Sequence, residues 1–70
     1  MSEKYVIKNL RDGKCLNNIG SNLGKLIYAN FINEESPTVL TFSSKGDANT
    51  LCQRIRQRLK IAVETVPYTA

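Results

Sequence analysis

Three arginines spaced two apart, Arg54, Arg56 and Arg58, are the residues whose type and spacing in this sequence could do chemistry. The planar guanidinium fork pairs bidentately with a carboxylate or a phosphate, so the chemistry is recognition of an anion. Lys45 and Lys60 bracket the arginines, and Gln53 and Gln57 interleave them. From Lys45 to Lys60 the only acid is Asp47. Bases and acids cancel in the rest of the chain, so this stretch carries the whole net charge of +4. Charge focused on one segment suits a surface for nucleic acid or for an acidic protein patch. The competing reading is a solvated amphipathic helix. There the arginine stems lie on apolar surface, and the cations complement the negative end of the helix dipole.

The other candidates point away from catalysis. The chain has no histidine, which removes the commonest general base and the commonest metal ligand. Cys15 and Cys52 are far apart and have no clustered partners, so both are expected to be buried free thiols, with no metal. A disulfide between them would need the helix to lie over the first hairpin. Glu34-Glu35 falls in a polar turn, where neighbouring carboxylates point apart and stay solvated. Gly20–Gly24 lacks the Lys-Ser/Thr ending of a phosphate-binding loop. Tyr5, Tyr28 and Tyr68, with Lys4, Lys8, Lys14 and Lys25, could stack on single-stranded bases, although packing on a sheet is the plainer role. Neither an enzyme nor a cofactor is expected.

The elements that must position these residues follow from pattern. Lys4–Leu10 is rich in β-branched and aromatic residues and predicts a strand. Asp12-Gly13 is a hairpin signal, and a return strand follows over 14–19. A two-residue turn would pair Leu10 with Cys15, and a bulge at Gly13 would shift the pairing by one. A loop at 20–24, a third strand over 25–31, a turn at 33–37 and a short fourth strand over 38–42 come next. Ser44 to Leu59 predicts a helix. Ser44 is the N-cap, Asp47 completes a near capping box, and Ala48, Leu51, Cys52, Ile55 and Leu59 form one apolar stripe. Ile61 and Val63 predict a last strand over 60–66, ended by Pro67, with a short tail from about 67. The expected architecture is one α+β domain over residues 1–70. It is a small antiparallel sheet of two hairpins plus a C-terminal strand, with the helix on one face, in the order β-β-β-β-α-β. Asn17-Asn18 marks an edge strand or a bulge, and such an edge could take a partner strand or form a homodimer.

No run of about 18 apolar residues is present, and Met1-Ser2-Glu3-Lys4 lacks the apolar stretch of a signal peptide. A soluble, cytoplasmic protein with no membrane partner is expected.

The opening Lys-Tyr-Val-Ile-Lys-Asn-Leu-Arg-Asp-Gly-Lys and the later Leu-Thr-Phe-Ser-Ser-Lys-Gly-Asp-Ala before an amphipathic helix form a layout. It resembles that of small proteins of bacteriophages and other mobile elements. The resemblance implies a context and no site. That context includes stand-alone proteins that block a host machine, CRISPR complexes among them. The expectation is a small non-enzymatic interaction protein that binds a host protein complex through an acidic surface. The alternative is direct nucleic-acid binding through the basic helix 45–60, with Lys4, Lys8, Lys14 and Lys25 assisting.

Overall fold

Alternating apolar residues build the centre of the sheet, and a computed structural model describes residues 3–68. Strand β1 spans Tyr5–Asn9, β2 Cys15–Asn22, β3 Lys25–Ile32 and β4 Val63–Pro67; helix α1 spans Lys45–Leu59. The four strands form one antiparallel sheet in the order β3-β2-β1-β4. The last strand therefore returns beside the first, from Tyr5↔Pro67 to Asn9↔Val63. The class is α+β, with the helix packed on one face.

Side-chain alternation along β1 covers both faces. Ile7 points to the helix side and packs with Leu16, Leu26 and Val63 against Ala48, Cys52 and Ile55 of α1. These three helix residues recur at the four- and three-residue spacing of one face. Val6 points the other way and joins Cys15 and Val39 in a smaller cluster, flanked by Ile32, Val66 and Tyr68. Two clusters in so short a chain leave little apolar surface spare for stability.

Several local expectations change. The stretch 38–42 forms no strand. Tyr5 and Phe42 exchange both backbone hydrogen bonds at 2.8 Å, and Leu40 N–H donates to the Leu16 carbonyl at 2.9 Å. The cause is in β2. Strands β1 and β2 pair only beside their turn, at Lys8↔Cys15, because Asn17 is a bulge between Leu16 and Asn18. A bulge bends its strand and raises the local twist, so β2 leaves β1 and the 39–42 segment fills the gap. Asn17 Nδ2 holds that segment by donating to the Thr38 carbonyl at 2.7 Å and to Thr38 Oγ1 at 3.1 Å. Asn17-Asn18 thus marks a bulge in an interior strand; the edge strands are β3 and β4.

The first hairpin takes neither expected register. Asn9 N–H donates to the Lys14 carbonyl at 2.7 Å, which closes a loop over Leu10–Gly13. Side chains set it: Asn9 Oδ1 accepts from Arg11 N–H at 2.8 Å and Asp12 Oδ1 from Lys14 N–H at 3.0 Å. The expected loop at 20–24 is mostly strand. β2 runs to Asn22, and Leu23-Gly24 turns the chain with φ of 53° and 78°. Both values suit a primed turn, whose twist matches that of the flanking strands. Gly20 lies in β2 opposite Tyr28, where a Cβ would run into the tyrosine ring.

The helix starts as expected, with Ser44 Oγ accepting from Asp47 N–H at 3.4 Å. Lys60 is its left-handed C-cap, with φ of 60°, and not the first residue of a strand. β4 starts three residues later and includes Pro67, and Tyr68 N–H donates to the Lys4 carbonyl at 2.8 Å. The remainder of the expected tail, Thr69 and Ala70, lies outside the described residues, as do Met1 and Ser2.

Leu23 is 93% exposed, so its left-handed backbone is not offset by burial. Replacing it with asparagine, which tolerates that conformation, is expected to raise unfolding free energy by about 1 kcal/mol. Urea denaturation checks this. An unchanged or lower midpoint would show that the tip does not hold the turn described.

Candidate functional site

Helix α1 buries Ala48, Cys52 and Ile55 and half-buries Leu51 and Leu59. All seven candidate residues, Lys45, Gln53, Arg54, Arg56, Gln57, Arg58 and Lys60, are exposed. They do not form one cluster. The Arg54 guanidinium donates to the Gly24 carbonyl at 3.3 Å, which ties the β2–β3 tip to the helix. Arg58 lies one turn further along that flank, and Lys25 follows Gly24 directly. Arg56 belongs to the opposite flank. Its Nε donates to the Val63 carbonyl at 2.9 Å, and its Nη2 makes a second bond to the same oxygen. Gln53 and Gln57 form the ridge between the flanks. Lys45, in the first turn, stands roughly 20 Å along the axis from Lys60.

The structure therefore brings Arg54, Arg58 and Lys25 to one flank and sends Arg56 and Lys60 to the other. Sequence reasoning named Lys25 only as one of four lysines assisting the helix, with Lys4, Lys8 and Lys14, and did not single it out as the neighbour of Arg54. The contact that does so joins residues 30 positions apart, and no local pattern signals it.

Beyond the helix C-terminus lies an open groove of about 760 Å³, floored by Ala29, Phe31 and Ile61 and rimmed by Arg11, Asp12 and Lys60. Its rim mixes both signs of charge.

The thiols are free and buried, and they belong to different clusters. Cys52 faces the helix-side cluster and Cys15 the opposite one, so the sheet lies between them and bars a disulfide. Cys52 Sγ sits 3.3 Å from Thr65 Oγ1. Burial, helped by the negative charge of Glu34, pushes the Cys15 thiol above its ordinary value; Lys8 opposes this in part. Among the described residues no three His, Cys, Asp or Glu side chains are placed to hold a metal. No helix among them is long and apolar enough to cross a membrane.

The tyrosines form no common platform. Tyr5 packs against the helix-side cluster and Tyr68 against the opposite one. The Tyr5 hydroxyl donates to Glu3 Oε2 at 3.0 Å, and that bond, followed by burial and the Glu3 charge, raises its pKa. Tyr28 is half exposed on β3.

No protein-family model, curated protein or solved structure matches this chain.

Two measurements separate display from structure here. Arg56→Gln removes donors to the Val63 carbonyl and is expected to cost about 1 kcal/mol of stability. Arg58→Gln, at a surface position, is expected to change stability by less than about 0.5 kcal/mol. Equal urea midpoints for the two variants would contradict the Arg56 tether. Both thiols are expected to react with an aromatic disulfide reagent at least about 100-fold more slowly in the native protein than in urea. Because the raised pKa keeps the Cys15 thiol neutral, its native reactivity should set in at higher pH than in the unfolded chain. Fast native labelling would contradict the burial of Cys15.

Proposed function

We propose that this chain is a non-enzymatic interaction protein whose basic helix surface docks on an acidic surface of a partner protein. The observation that carries the reading is the placement of the whole excess charge on the solvent side of one helix. Arg54 and Arg58 supply the leading contacts, with Lys25 beside them and Gln53 and Gln57 as adaptable hydrogen-bonding groups on the ridge. Arg56 contributes less, because it stands on the opposite flank and holds two donors on the Val63 carbonyl, where Arg54 gives one to Gly24. In the setting that the phage resemblance implies, the partner is a host complex in the cytoplasm, such as a nucleic-acid-processing machine of the CRISPR type.

Direct nucleic-acid binding is the second reading. The flank that holds Arg54, Arg58 and Lys25 supports it, since cations about one helical turn apart could follow neighbouring phosphates. The division of the remaining cations between two flanks and a net charge of only +4 favour protein.

Fluorescence anisotropy with labelled single- and double-stranded DNA and RNA, at low and physiological salt, separates the two. The protein reading expects no saturable binding at low salt. It also expects a host partner, identified after capture, that binds wild type and loses Arg54→Glu/Arg58→Glu. Saturable binding with a steep salt slope, abolished in that variant, would move the function to nucleic acid. A captured partner indifferent to the variant would sink the helix face.

A further inference from the structure

The two edges of the sheet are built differently. β4 has five residues, carries Glu64, and ends at Pro67, which has no N–H to offer. Short length, charge and proline are the devices that keep an edge from pairing with another strand. β3 has eight residues, and after Lys25 it holds neither charge nor proline through Ile32; its one irregularity is a bulge at Ile27, opposite the Gly20–Ser21 step. Ile27 and Tyr28 on it are 54% and 49% exposed. Among the described residues no strand pairs with its outer side.

Charge along β3 is also polar end to end. No acid occurs from Gly13 to Asn33, and Glu34-Glu35 follow the strand after Asn33. Lys25 opens the strand, and Arg54 is held at the same end through the Gly24 carbonyl. A parallel neighbour of the same sequence would set lysine beside lysine and acid beside acid. An antiparallel neighbour sets the cationic start of each copy against the acidic end of the other, twice. The bulge at Ile27 leaves Tyr28–Ile32 as the regular stretch; with the two-fold axis at Asn30, Tyr28 of one copy stands opposite Ile32 of its partner, and Lys25 lies towards the partner's Glu34-Glu35 turn.

We propose that β3 is a self-association edge, on which a second copy of this chain adds its own β3 antiparallel across a two-fold axis. The product is one continuous sheet through two domains, with Lys25 of each copy facing the Glu34-Glu35 turn of the other. The interface is isologous and closes at two copies, which limits growth into fibres. It uses the sheet edge and leaves the outer ridge of α1 free; Lys25 is the residue it shares with the helix reading above.

Sedimentation equilibrium of the full chain from about 10 µM to about 1 mM tests this by mass action. The mass is expected to rise with concentration from 7.8 kDa towards twice that value. Lys25→Glu is expected to weaken association at least about tenfold, and Glu34→Lys/Glu35→Lys to do the same. The variant with all three changes should recover it in part, because the charges at 25 and at 34–35 are exchanged while Arg54 keeps its sign. Ile27→Lys, a charge on the edge at a half-exposed position, should leave a monomer with an unchanged urea midpoint. A constant 7.8 kDa mass over the whole range would overturn the proposal. So would a dimer indifferent to Lys25→Glu and Ile27→Lys, or a triple variant that fails to recover association. Ile27→Lys leaves Lys25 and the helix arginines intact, so its result bears on the edge alone.

Discussion

The bulge at Asn17 is the constraint on which the other features depend. It turns β2 away from β1 after a short stretch of pairing, and a gap opened in the middle of a sheet exposes backbone donors and acceptors that must find partners. The 39–42 segment supplies them, with Leu40 bonded to Leu16 and Phe42 to Tyr5. That insertion places Val39 on one face and Leu40 and Phe42 on the other, so it contributes to both apolar clusters. It also delivers the chain to Ser44, where the helix is capped. The two Asn17 bonds to Thr38 are the local interactions that hold this arrangement.

Once α1 is seated, its charge follows from helix physics as much as from any partner. Asp47 lies at the positive end of the helix dipole and Arg56 and Arg58 at the negative end, which is the favourable arrangement. Arg54 and Arg56 also reach across to carbonyls on neighbouring elements, one at each flank. A guanidinium can do both, since it has five donors and a carbonyl takes only one or two. Anchoring and display therefore coexist on the same side chains. Holding an arginine in place before a partner arrives lowers the ordering cost of binding.

The same economy of parts applies to the sheet. One edge is shortened and closed by proline, and the other is long and nearly free of charge. The loop after β3 carries two acids and its first residue, Lys25, is a cation, so the strand has electrical direction. In a domain that buries only two small clusters, added strand pairing would extend the buried surface beyond what one copy reaches alone.

The helix, its N-cap and its buried stripe were legible in the sequence, because periodicity and capping are local and every signal from Ser44 to Leu59 except Gly46 agreed. The first and third strands were legible from β-branched and aromatic content, and the second from the Asp12-Gly13 turn that sends the chain back. The free thiols and the exposure of the basic residues followed from residue types alone. What tertiary structure decided were the features that rest on distant partners. Residues 38–42 read as a strand, yet became a filler because the bulge at Asn17, 21 residues before Thr38, left a gap of one strand's width. Gly20 read as loop, yet lies in β2, since the Tyr28 ring opposite needs the space a Cβ would take. The grouping of Arg54 with Lys25, and the parting of Arg56 from it, depended on which carbonyl each guanidinium could reach after the hairpin folded over the helix. Local pattern determines which elements form; the bonds that join them across the chain determine which of their residues share a surface.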